Sequence, residues 1–317
     1  MTNFQVYKRT LSFSLLNFAV GLGSLAIFVG CCALGFVIGE PSDNGLLGIV
    51  IGFFIGIVAM VLISIFISNR IKAAQISMMT RGVTSGDLPE RTFKEGFNEI
   101  KGRFGKITVF YFITNAIKSI FRQIGRGFNK LGTAVGGDVG NGVTSAVDSA
   151  IQTLIGYLCD CCLGWILYRK EVNAAKAGCE GAVIFFKSGK TLFRNIGRIF
   201  GMGLLSFLVI GGAFFGISYL IFSQFPDVAV SLGKEIAAMS EEAPAFLTEP
   251  AIFMIAASAF IGIMMWSIIH SVLIRPFILV GVLRNYMATG LASIPTEQEI
   301  NDLQSRYPRL GKLNKIN

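Results

Sequence analysis

Asp160 stands inside an apolar stretch, Val147 to Tyr168, long enough to cross a bilayer. Ionisable groups in such stretches are costly and mark ion or substrate paths. Ser149, Gln152, Thr153, Gly156, Asp160 and Gly164 recur at helical three-and-four spacing, which makes one polar, small-residue stripe facing a bundle interior or a wet cavity. Lys118, on the neighbouring stretch Ile107 to Phe121, is the expected charge partner of Asp160. The stripe has two readings: a cation site or gate, and a structural ion pair or interfacial group.

The single histidine, His270, falls in line with Ser258, Gly262 and Trp266 at steps of four, flanked by Ser267 and Ser271. Histidine titrates near neutral pH, so proton coupling is one role and an interhelical hydrogen bond is the other. Trp165, Tyr157 and Trp266 offer ring faces that attract organic cations. Aromatic side chains also serve as plain interfacial anchors.

Enzymatic chemistry finds no footing. One histidine and few carboxylates at membrane depth leave no triad and no carboxylate pair. No Gly-rich phosphate loop is present. The six cysteines include the run Cys159-Asp-Cys-Cys, which lacks a convincing second pair of metal ligands, so packing or reversible acylation is expected rather than metal. The chain is therefore expected to be no enzyme and to need neither cofactor nor metal.

The elements that must carry these residues are helices. Leu11 to Ile38, Leu46 to Ser68, Gly201 to Phe222 and Ile252 to Ile274 are continuous apolar runs without period-two alternation. Each meets the roughly 20 residues that span a bilayer as helix. Composition agrees: 53% of residues are hydrophobic, 15% charged, and the mean hydropathy is +0.64. The expected fold is an all-α, polytopic integral membrane protein, with residues 1–290 as one helical membrane domain and 291–317 as a polar, basic cytoplasmic tail.

Charge fixes the expected topology, and the net charge of +9 is read as loop charge rather than nucleic-acid affinity. Lys8 and Arg9 precede the first run, whereas Glu40 and Asp43 occupy the turn after it. Arg70, Lys72, Arg81, Arg91, Lys94, Lys101, Arg103 and Lys106 follow the second, and Arg169 to Arg198 is again strongly basic. Both basic regions belong in the cytoplasm, so the intervening chain crosses twice or not at all. Six spans result if Ile107 to Phe121 and Val147 to Tyr168 both cross, with Gly132 to Gly142 as the external turn; four result otherwise. Both termini are expected in the cytoplasm of a plasma-membrane protein.

Gly48, Gly52 and Gly56 recur every four residues, which lets two helix backbones approach closely. Gly35 and Gly39 are natural partners, as are Gly212 and Gly216 on a later span. Arg275-Pro276 should kink or break the last helix. Glu90 to Lys106 and Ala174 to Arg198 mix Phe, Ile and Val with Lys and Arg, and read as two basic amphipathic cytoplasmic helices in the headgroup layer. Membrane lipids, other membrane subunits or a second copy are the partners this suggests.

A series of modest matches in order resembles the later part of the choline transporter-like family. They are Asn69-Arg-Ile-Lys-Ala-Ala-Gln-Ile-Ser, Asp87-Leu-Pro, Phe93-Lys-Glu-Gly-Phe, Arg103-Phe-Gly, and Cys159-Asp-Cys-Cys with Trp165. Lys187-Ser-Gly-Lys-Thr-Leu-Phe-Arg-Asn-Ile-Gly-Arg and Leu283-Arg-Asn complete the series, which runs from Ile67 to Gly290. The resemblance implies a multi-pass transporter-like or channel-like protein for a small organic cation such as choline. The alternative is a non-transporting scaffold, assembly subunit or membrane-remodelling protein that works through its basic amphipathic helices.

Overall fold

The computed structural model describes residues 1–42, 45–104, 141–187, 189–227, 231 and 249–306, and among these all regular structure is helical. Two compact units result, Met1–Asn195 with Leu279–Asn317, and Ile196–Ile278. Four helical rods are long and apolar enough to cross a membrane: Asn3–Gly39, Leu47–Thr84, Gly197–Gln224 and Pro250–Ala292.

In the first unit, α1 (Asn3–Gly39) begins on a capping box. Thr2 Oγ1 accepts from the Gln5 amide at 3.2 Å, and Gln5 Oε1 accepts from the Thr2 amide at 2.8 Å. These bonds satisfy amides that the first helical turn leaves without partners. A short 3-10 turn, Glu40–Ser42, follows α1. The chain then runs back through α2 (Gly45–Ile63), a π-helical turn (Ser64–Ser68) and α3 (Asn69–Thr84).

Glycines set the separation of the two rods. A Cβ on Gly48 would collide with the Gly35 carbonyl oxygen, and one on Gly52 with the Cys31 carbonyl. A Cβ on Gly56 would lie 2.7 Å from the Phe28 ring. Bare backbones in contact gain dispersion and lose no side-chain freedom, which drives association where lipid offers no hydrophobic gain.

Each rod changes surroundings along its length. Val6, Thr10, Phe13 and Ser14 of α1 are buried, whereas Leu34 is 63% and Ile38 76% exposed. Phe54 of α2 is 63% exposed, yet Ile71 and Ala73 through Thr80 of α3 are all buried. The uncovered apolar half belongs in lipid, and the covered half is the core of a helical head.

Three further helices build that head: α4 (Thr92–Phe104), α5 (Asn141–Tyr168) and α6 (Ala174–Lys187). Gly96 of α4 packs on the Phe13 and Met78 side chains and the Ala74 carbonyl, and Phe13 stacks on Phe93 at 4.9 Å. Protein thus covers the Gly96 side of α4, while Phe93 on the same helix stays 41% exposed. The stretch Ala174 to Arg198 is divided between α6 and α7 (Gly189–Ser206), and Ala177, Cys179, Ala182 and Ile184 of α6 are buried. An amphipathic pattern records only that one face avoids water; a protein surface satisfies it as well as a lipid one.

The second unit is a hairpin. The end of α7 passes through a π-helical turn (Phe207–Gly211) into α8 (Gly212–Gln224), and α9 (Pro250–Ile269) returns alongside. Gly262 approaches Gly211, where a Cβ would come within 2.8 Å of the carbonyl oxygen. Among the described residues, a Cβ on Gly212 or Gly216 would meet nothing within 4 Å. Leu220 and Phe260 are each 64% exposed.

The rod does not break at Pro276. A π-helical turn, His270–Ile274, leads directly into α10 (Arg275–Ala292). Proline lacks the amide that would bond four residues back, and the wider turn before it absorbs the mismatch. Val280, Leu283 and Met287 of α10 are core residues of the first unit, and α11 (Glu297–Arg306) adds Ile300 and Leu303. Arg284 donates to Asn3 Oδ1 at 2.6 Å and to the Met1 carbonyl at 2.8 Å.

Candidate functional site

Asp160 comes to its partner through the register of α5 against α3. Asp160 meets Lys72, Gly164 lies against Ile76 and Thr80, and Tyr168 shares a cavity with Thr84. Residue numbers rise together on the two helices, so they run parallel. Lys72 Nζ is 2.7 Å from Asp160 Oδ1, with the carboxylate side chain 6% exposed and the lysine side chain 35% exposed. Burying a carboxylate this deeply costs desolvation that a paired ammonium offsets. Lys118, the partner expected from sequence, lies outside the described residues, as does the stretch Ile107 to Phe121.

Lys72 lies one helical turn past Ser68, so Asp160 meets the rod where its exposed apolar part gives way to its buried part. Of the polar stripe, Gln152 and Thr153 are exposed, whereas Asp160 and Gly164 are buried in the head.

A second charged cluster lies on the far side of α5. Glu180 Oε2 accepts from Trp165 Nε1 at 2.9 Å and Arg169 Nε at 3.1 Å, while Oε1 accepts from Arg169 Nη2 at 3.2 Å. Arg169 also pairs with Glu171 at 2.6 Å. The Glu180 hydrogen bond raises the Arg169 pKa above the usual guanidinium value, against the opposing effect of burial. Trp165 is fully buried beneath Gly290, whose Cβ would stand 2.5 Å from the indole. Its ring is therefore a core element and offers no open face to a ligand.

The four later cysteines line this core. Cys162 Sγ approaches the Gly178 carbonyl at 3.5 Å, and Tyr286 donates to the Gly181 carbonyl at 2.5 Å. Cys179 touches Gln304 at 3.6 Å, and burial pushes its thiol pKa up. All six cysteines are free thiols.

His270 and Trp266 belong to the second unit. Trp266 Nε1 donates to Ser206 Oγ at 3.1 Å, and its ring stands edge-on to Phe207 at 5.1 Å. His270 packs on Trp266 with ring centroids 5.2 Å apart. Ser258 is fully buried, and its hydroxyl has no hydrogen-bond partner among the described residues.

Sequence reasoning missed Lys72 and Glu180. Both carried a signal: Lys72 is the first lysine after a span, and Glu180 is a lone acid on the small-residue face Ala177-Gly178-Cys179 of α6. Comparison of the chain with protein-family profiles, curated proteins and solved structures finds no match.

Proposed function

We propose that the chain is a transporter-like or channel-like membrane protein whose inner mouth is the Lys72–Asp160 pair. The carrying observation is the parallel course of α3 and α5, which continues the line of α2. Asn141 precedes Asp160 by 19 residues in one unbroken helix, a rise of about 28 Å back along the membrane-facing direction. That length supports a crossing by α5, and with it the six-span reading in which both termini and the basic head are cytoplasmic. Asp160 would bind a small organic cation, choline in the family resemblance, by exchanging the Lys72 ammonium for the substrate's.

Uptake of labelled choline into proteoliposomes tests this. Saturable uptake should fall at least about tenfold in Asp160→Asn, because the neutral amide loses the charge that holds an ammonium. Flux no greater than in protein-free vesicles would overturn the transport reading. Labelling of cysteines introduced into Gly132 to Gly142 should occur from outside only; inside-only labelling would remove the fifth and sixth crossings.

A second reading has its own support. Apolar rods carry a large, protein-covered head in place of a polar lumen among the described residues, which suits a membrane-anchored scaffold. Recruitment of a partner by a flux-inactive Asp160→Asn protein would favour it.

A further inference from the structure

Near the distal end of α3 the head holds a cavity of about 300 Å³ lined by Ser77, Thr80, Arg81, Glu99, Tyr168 and Lys170, among others. Neither the Asp160 pair nor the Glu180 cluster contributes to it. Two cations share one carboxylate there: Arg81 Nη1 is 3.6 Å and Lys170 Nζ 3.4 Å from Glu99 Oε1, while Ser77 donates to Glu99 Oε2. At 3.6 Å the guanidinium is outside hydrogen-bond range of that oxygen. Arg81 keeps a planar fork of donors at the cavity wall, with its side chain 41% exposed.

The last carbonyls of α3 have donors of their own. Thr84 Oγ1 donates to the Thr80 carbonyl at 2.8 Å, and Ser85 Oγ to the Arg81 carbonyl at 2.7 Å. Those hydroxyls satisfy the terminal carbonyls that would otherwise draw positive side chains. Thr80 supplies an independent sign. It is 2% exposed and lines the cavity, and its hydroxyl has no hydrogen-bond partner among the described residues. A buried hydroxyl of that kind is costly unless something else bonds to it.

We propose that this cavity binds a phosphate group, with the Arg81 fork and the Lys170 ammonium on its oxygens. A guanidinium and an ammonium side by side are the pair that recognises such an oxyanion. The volume admits a phosphate or a small phosphomonoester. Depth selects the source. Arg81 follows Ser68, where the exposed apolar part of that rod ends, by 13 residues along a continuous helix, about 20 Å. Headgroups extend only about 5–8 Å past the hydrocarbon, so the ligand comes from solution.

The experiment is a titration of the full chain with inorganic phosphate, in nanodiscs of phosphatidylcholine alone, read by calorimetry. Wild type should bind saturably, and Arg81→Gln and Lys170→Gln should each weaken binding about tenfold. Glu99→Gln should tighten it severalfold, since the competing carboxylate is gone. That gain cannot come from misfolding. Unchanged or weaker binding in Glu99→Gln, no binding by wild type, or undiminished affinity in the Arg81→Gln, Lys170→Gln double variant would each overturn the site. A second arm adds phosphatidic acid to the nanodiscs. Displacement of phosphate by that lipid would overturn the soluble source, and no displacement supports it.

Discussion

Gly48→Leu should separate the first membrane hairpin, while Gly30→Leu should leave it intact. At Gly48 the obstacle is the Gly35 backbone carbonyl, which no rotamer change can remove. The α1 and α2 axes must move apart, and the Gly35 and Gly52 contacts open with them. We expect a loss above about 3 kcal/mol, the upper end of overpacking penalties, because backbone cannot yield as a side chain does. At Gly30 a Cβ would meet nothing within 4 Å, so leucine there points into lipid. Thermal unfolding of the two variants in one detergent gives the comparison. Equal loss in both would show that helix composition, rather than the close approach, holds the hairpin.

Glu180→Ala should be the most damaging single change in the head. It removes the two Glu180 oxygens that accept from Arg169, which keeps its pair with Glu171, and it leaves the Trp165 indole N–H buried with its acceptor gone. Breaking a buried pair from one side costs about 3–5 kcal/mol, since the remaining charge keeps its desolvation penalty. Glu180→Gln retains an oxygen for the indole and should lose roughly half as much. The Lys176–Glu297 pair is the built-in control. Its bond is 2.8 Å long and lowers the Glu297 pKa, yet Glu297 is 81% exposed. Glu297→Gln should leave the midpoint of thermal unfolding where it was, because solvent screens such pairs.

Long apolar runs disclosed the four membrane-length helices, since only composition and length are needed for that. Finer features needed the third dimension. The π-helical turn at Phe207–Gly211 inserts an extra residue and rotates everything after it. The spacing of four points to Gly212 and Gly216, whereas Gly211, inside that turn, is the residue that meets Gly262. Likewise, Asp160 is conspicuous in a linear reading, but Lys72 is distant in sequence and joins it only through the parallel register. The amphipathic stretches at Glu90 and Ala174 show that a face is covered, and their residues alone do not say by what.

The bonds from Arg284 to Asn3 and to the Met1 carbonyl also bear on the order of assembly. Partners 281 and 283 positions apart close the head. A polypeptide threaded into the bilayer from its amino end must therefore leave the Met1 and Asn3 end of the head without this clasp until Arg284 has been made. Quality control by membrane proteases has its longest opportunity in that interval. A ribosome stalled before Arg284 should leave a product that is inserted yet rapidly degraded.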